Sequence, residues 1–234
     1  TEPRGFFCSG VHCDVKEKND GKLDLGIVYS NRPCSAAGVF TTNDVKAAPV
    51  RYSQKLLSDP AAKFHAIVAN SGNANACTGE QGYSDSAKMA SEVARHLNLH
   101  SKEILVCSTG RIGVRLPMSR ITIGTRDATE DARQELDGAK AFQEAILTSD
   151  TCTKSCSAKF KTPTGEITIG GVVKGAGMIE PDMATMLAFL TTDASVSNSY
   201  LQGVLKDSVD RSFNRITIDG DMSTNDSVLL LANG

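Results

Sequence analysis

Apolar positions in this chain recur with a period of two in some stretches and of three to four in others. Runs of β-type composition occur at Leu25 to Tyr29, Gly38 to Thr42, Ala66 to Asn70, Ile104 to Cys107, Glu166 to Val173, Met186 to Thr191, Arg215 to Ile218 and Val228 to Leu231. These predict strands. Between them, Ser84 to Leu97 carries Met89, Ala90, Val93, Ala94 and Leu97 at helical steps. Ala139 to Leu147 is similar, and Ser199 to Phe213 sets Leu201, Leu205, Val209 and Phe213 on one stripe. These predict amphipathic helices. With no internal repeat and no long Pro/Gly/Ser linker, the pattern predicts one α/β unit over residues 1–234. The apolar run Val228 to Ala232 stops two residues before the end. A buried strand rarely closes a domain so abruptly, so the expectation is a domain truncated at its C-terminus.

A length of 234 residues suffices for a real core. Lys and Arg number 25 against 27 Asp and Glu, for a formal charge of −2. No basic footprint points to nucleic acid or to an anionic membrane. The longest apolar runs are five residues long, against the ~20 needed to span a bilayer. Small polar ligands are therefore the expected partners. The seven cysteines form no CxxC pair, which favours free thiols in a reducing compartment. The chain starts at Thr1 without a secretory pattern, and the expected location is the cytoplasm. A mitochondrial or plastid form stripped of its transit peptide would read the same way.

Several polar clusters have unremarkable readings. His96 and His100 are four apart, but no Glu or Cys stands at ligand spacing nearby, and imidazoles suit the end of a helix. Asp219, Asp221 and Asp226 imitate part of a calcium loop without its sixth-position glycine or twelfth-position glutamate. No metal is expected. Cys152 and Cys156 lack a local group that would lower a thiol pKa. The glycine-bearing stretches carry more weight, because glycine marks sharp bends or close backbone approach. Residues 70–79, NSGNANACTG, follow a predicted strand. Residues 108–113, STGRIG, follow another and could aim consecutive N–H groups at a developing oxyanion. Residues 174–179, KGAGMI, form the third. Taken one at a time, each is more often a turn than a site.

Together, NSGNANACTG at 70–79, STGRIG at 108–113, KGAGMIEPDMATML at 174–187 and DGDMSTND at 219–226 resemble the ornithine acetyltransferase, or glutamate N-acetyltransferase, family. Lesser matches, LPM at 116–118, TSDT at 148–151 and TTDA at 191–194, extend the likeness over nearly the whole chain. The resemblance implies a layered α-β-β-α sandwich with a mixed sheet, like that of the self-processing aminopeptidases. It implies self-cleavage between Ala184 and Thr185 into a piece of residues 1–184 and the start of a second, 185–234, which stay together and assemble into a hetero-oligomer.

Thr185 then becomes the nucleophile, with its freed α-amine as the base a threonine hydroxyl needs. By the same resemblance Thr109 and Gly110 supply backbone amides to the oxyanion, Lys174 pairs with the substrate carboxylate, and a hydroxyl of the 148–150 segment, taken as Ser149, touches substrate. The family usually shows threonine at that position. The implied reaction carries acetyl from N-acetylornithine to glutamate through an acetyl-threonine enzyme in arginine biosynthesis. No cofactor is implied, and acetyl-CoA is a possible co-substrate. Two other readings stay open: an amidohydrolase or aminopeptidase of a related self-processed fold, and a non-catalytic fragment. Family members continue past residue 234, and their further substrate contacts have no counterpart in these residues.

Overall fold

The computed structural model describes residues 2–18, 20–163, 165–178 and 186–234. Its described strands are β1 (Phe6–Val11), β2 (Leu25–Phe40), β3 (Phe64–Asn73), β4 (Ile104–Arg111), β5 (Lys154–Thr162), β6 (Gly165–Lys174), β7 (Leu187–Thr192) and β8 (Ser227–Ala232). The helices are α1 (Ala48–Leu57), α2 (Gly79–Leu97), α3 (Met118–Glu130), α4 (Leu136–Ala145) and α5 (Asn198–Arg211).

β2 is the hinge of the architecture. Its first half pairs with β1 and β3, its register shifts between Tyr29 and Cys34, and its second half pairs with β8. Asn31, Arg32 and Pro33 are exposed at that corner, where the ladder is interrupted and a proline costs no hydrogen bond. The strand path therefore runs β4-β3-β2-β8-β7-β6-β5, with β1 on the other side of the first half of β2. β3 pairs with β4, and β7 with β8, in parallel; the other pairs are antiparallel. A parallel pair needs a crossover. Here α2 links β3 to β4 and α5 links β7 to β8.

The two halves of this bent sheet lie face to face, as the period-two alternation shows. Ile67 and Ala69 of β3 share one buried cluster with Leu187 and Phe189 of β7 and Leu229 and Leu231 of β8. Ala66 and Val68, on the opposite face of β3, pack with Met89, Val93 and Ile121 of α2 and α3. On the other outer face Ala188, Val228 and Leu230 pack with Leu201, Leu205 and Val209 of α5. This is the expected α-β-β-α sandwich with a mixed sheet. α4 plugs the rim, where the Phe142 ring meets Phe189 edge-on at 5.2 Å. No helix among the described residues is long and apolar enough to cross a membrane.

The structure departs from the sequence pattern in four places. The runs at Leu25 and Gly38 are one bent strand. Arg215 to Ile218 is not a strand: a 3-10 turn covers Phe213–Arg215, and Ile216 and Ile218 are exposed. α1 and α3 were not anticipated, and neither were β1 and the exposed edge strand β5. α2 begins at Gly79 rather than Ser84. Its first turn holds Gly82, where any side chain would run into Thr78 and Asn75, so the tight seat of the helix against its own loop hides the start of the helical pattern.

Candidate active site

The C-terminal ends of β3 and β4 meet the end of β6 and the starts of β7 and β8. Parallel β3 and β4 carry their register through Ser71–Thr109 and Gly72–Gly110, beyond the body of the sheet. Close approach there depends on glycine. Gly110 has φ +132, and a Cβ on it would lie 2.5 Å from the Asn73 nitrogen and 2.7 Å from the Gly72 Cα. Asn70, Asn73 and Asn75 are fully or almost fully buried, and their side chains hold backbone rather than open space. Asn70 Nδ2 donates to the Asn73 carbonyl at 2.9 Å, Asn73 Nδ2 to the Arg115 carbonyl at 3.0 Å, and Asn75 Nδ2 to the Gly82 carbonyl at 2.8 Å. The amides of the 70–79 stretch thus build the frame on which the 109–110 backbone rests.

The 219–226 segment closes that frame from the other half-sheet. Asn225 Nδ2 donates to the carbonyls of Ala74 (2.6 Å) and Ser108 (2.8 Å), joining both loops to the start of β8. A cavity of about 270 Å³ opens beside this junction, lined among others by Thr109, Gly110, Thr148, Ser149, Lys174 and Asn225. The sequence brought no role to Asn225 beyond its place in a motif. An amide is recognisable as a staple only once both carbonyls it joins are known.

Lys174 is 2% exposed at the end of β6. Its Nζ donates to Thr148 Oγ1 at 2.9 Å and to Thr109 Oγ1 at 3.1 Å. Burial pulls its pKa below the ordinary lysine value, opposed by the carboxylates of Asp150 and Asp226. Asp150 accepts the Gly175 N–H at 2.7 Å and Lys154 Nζ at 2.9 Å. Burial alone would raise its pKa, but Lys154, the Gly175 N–H and the Lys174 charge outweigh it and hold the carboxyl below its usual range. Asp226 is fully buried. Its Oδ1 accepts the Met186 N–H at 2.8 Å, while Oδ2 has no hydrogen-bond partner. Burial pushes its pKa up to about 8 against the Met186 N–H, the nearby Ser223 hydroxyl and the Lys174 charge; the Ser223 hydroxyl favours the charged form without reaching hydrogen-bond geometry to Oδ2.

Of the residues singled out from the sequence, Thr109, Gly110, Lys174 and Ser149 line this one cavity. Within the 148–150 segment both Thr148 and Ser149 line it, and it is Thr148 that receives Lys174. Ala184 and Thr185 lie outside the described residues. His96 Nε2 stands 2.9 Å from the Arg95 guanidinium, a cationic neighbour for any metal ligand. No group of three or more His, Cys, Asp or Glu able to hold a metal ion occurs among the described residues.

A family model described as the ArgJ family matches residues 7–234. The chain belongs to the ArgJ family. Among curated members it is 51% identical over 232 residues to the arginine biosynthesis bifunctional protein ArgJ of Thermotoga neapolitana, and 49% identical over 234 to that of Symbiobacterium thermophilum. The chain is matched over 99% and 100% of its length and spans 57% of each relative. Two solved ArgJ-type structures superpose. The argJ protein of Bacillus halodurans has TM-score 0.72 and 40% identity, covering 78% of this chain and 92% of its own. Ornithine acetyltransferase of Mycobacterium tuberculosis, solved with ornithine, has TM-score 0.71 and 39% identity, covering 77% and 93%. At 10% identity and TM-score 0.54, an L-aminopeptidase D-Ala-esterase/amidase of Ochrobactrum anthropi covers 98% of this chain and 71% of its own, a likeness of fold alone.

Proposed function

We propose that these residues are the greater part of the catalytic framework of a glutamate N-acetyltransferase that carries acetyl from N-acetylornithine to glutamate through an acetyl-Thr185 intermediate. The observation that carries the reading is the convergence of Thr109, Gly110, Ser149 and Lys174, from three distant segments, on one small cavity. Met186, the residue after Thr185 and just before β7, donates its N–H to the buried Asp226. A cavity at the small end of ligand pockets suits an amino acid. The buried Lys174 ammonium, held by two hydroxyls, would meet the α-carboxylate that donor and acceptor share. Main-chain N–H groups at Thr109 and Gly110, stiffened by contact with the Gly72 backbone, would meet the oxyanion of each half-reaction.

Processing before Thr185 supplies the α-amine base. On this reading no cofactor takes part, and acetyl-CoA is a second acetyl donor, in keeping with relatives named bifunctional. The two pieces stay associated as a hetero-oligomer in the cytoplasm.

The test is the denatured mass of the full protein beside a Thr185→Ala variant, followed by incubation with N-acetylornithine and glutamate. Two pieces meeting at Ala184 and Thr185 in the parent, one chain in the variant, and N-acetylglutamate from the parent alone are expected. Release of acetate with no dependence on glutamate would instead identify a hydrolase.

A further inference from the structure

The buried Lys174 ammonium is held by neutral groups. An ammonium has three N–H donors. Lys174 Nζ gives one to Thr148 Oγ1 at 2.9 Å and one to Thr109 Oγ1 at 3.1 Å, which leaves one for a ligand. A cation only 2% exposed is costly without an opposite charge close by. That charge stands one remove away: burial disfavours the ammonium, and the fields of Asp150 and Asp226 favour it, yet Nζ itself bonds only the two hydroxyls.

Asp150 lies between α4 and β5, its side chain wholly shielded from solvent. Its two oxygens face different segments. Oδ1 accepts the Gly175 N–H at 2.7 Å and Lys154 Nζ at 2.9 Å, while Oδ2 accepts the Thr148 N–H over a longer 3.4 Å. Gly175 follows Lys174 in the chain, and Thr148 carries the hydroxyl that receives the ammonium. One carboxylate therefore ties together the two pieces of backbone that present the lysine and its support. The β5–β6 hairpin sets Lys154 opposite Val173, where its 38% exposed side chain balances the Asp150 charge.

We propose that Asp150 is the positioning residue of the substrate-carboxylate anchor: by bonding the backbone at Thr148 and at Gly175 together, it holds the Thr148 hydroxyl and the Lys174 ammonium in register without taking the donor that substrate uses. This rests on the reading of Lys174 as that anchor. A carboxylate suits the place because both of its oxygens accept. An asparagine offers one acceptor, enough for Gly175, and turns its own N–H groups toward the Thr148 N–H, so the tie to Thr148 is lost. A carboxylate placed directly on Nζ would instead fill the third donor and compete with substrate.

The experiment is a double-mutant cycle on the full protein: parent, Asp150→Asn, Lys174→Met and the pair, each with kcat and the Michaelis constants for N-acetylornithine and glutamate. An anchor supplies uniform binding, so Asp150→Asn should raise both Michaelis constants at least ~5-fold and leave kcat within about threefold. In the Lys174→Met background the same change should add less than about twofold, because a residue acting through Lys174 has nothing left to position. An aspartate that merely supported the fold would act alike in both backgrounds, and a further rise of more than about twofold beside Lys174→Met overturns the proposal. A rise short of about fivefold in Asp150→Asn, where Lys174→Met raises both constants, overturns it and leaves Lys174 in its role. A parent without acetyl transfer, or a Lys174→Met enzyme with unchanged constants, overturns the anchor reading and the proposal with it. Should Asp150→Asn fail to fold, Asp150→Ser takes its place in the cycle under the same criteria.

Discussion

Replacing Gly110 with alanine tests whether the end of β4 is held by contact with the end of β3. The new Cβ would sit 2.5 Å from the Asn73 nitrogen and 2.7 Å from the Gly72 Cα, with the Gly72 carbonyl carbon nearer still. These are backbone atoms of a loop pinned by Asn70, Asn73 and Asn225, so neither side can yield cheaply. A φ of +132 for alanine costs on the order of 1–3 kcal/mol, and forced overpacking adds typically ~1–3 kcal/mol. Relaxation will recover part, and a loss of at least about 2 kcal/mol is expected in urea unfolding of the full protein. Gly113→Ala is the control. It also has positive φ, +80, but nothing lies within 4 Å of its Cβ, so it should lose only ~1 kcal/mol. A shift of about 1 Å at the oxyanion amides would lower acetyl transfer by ~100-fold in Gly110→Ala. If Gly110→Ala unfolds no more easily than Gly113→Ala, the Gly72 contact does not hold the site.

Three further outcomes follow from the same geometry. Lys174→Met keeps length and removes the buried ammonium; the Michaelis constant for glutamate should rise roughly 10- to 100-fold, the worth of one charge-assisted hydrogen bond, and an unchanged value refutes the carboxylate role. Asp226 binds its proton more tightly folded than unfolded. Its contribution is therefore fully present below about pH 4 and is lost as pH rises through the folded value of about 8. Urea midpoints at acid, neutral and basic pH should diverge in favour of Asp226→Asn as pH rises, and parallel curves would refute this. All seven cysteines are free. Burial pushes the thiols of Cys8, Cys34 and Cys107 up to about 12, and burial with the Asp24 carboxylate raises Cys13 as well. Alkylation of the native protein at mildly basic pH should label exposed Cys77, Cys152 and Cys156 first; equal labelling of Cys107 would contradict its burial.

Segments whose own pattern carries their environment were legible. The unbroken apolar runs at 66–69 and 228–231 suit strands buried on both faces, and Met89, Val93 and Ala94 suit a helix with one apolar stripe. Arg215 to Ile218 shows the limit: its alternation suits a strand, but strand propensity measures fit to a half-buried pleated surface, and none of the described strands pairs with it. β5 failed in the other direction. Among the described strands its exposed KSCSAKFKT edge pairs only with β6, and lysines on a sheet edge read as loop until the hairpin is seen.

The site divides along the same line. The resemblance of four motifs to a known family, not residue spacing by itself, pointed to Thr109, Gly110, Ser149 and Lys174. Only the tertiary structure put Thr148 rather than Ser149 under the Lys174 ammonium, made Asn225 the staple of two loops, and buried Asp226 against Met186 with one oxygen unpaired. Those relations join residues 26 to 151 positions apart. A chain's local pattern encodes which face of each element is apolar; which polar groups meet where the elements end is set by the bend in β2 and the packing of the two half-sheets it creates.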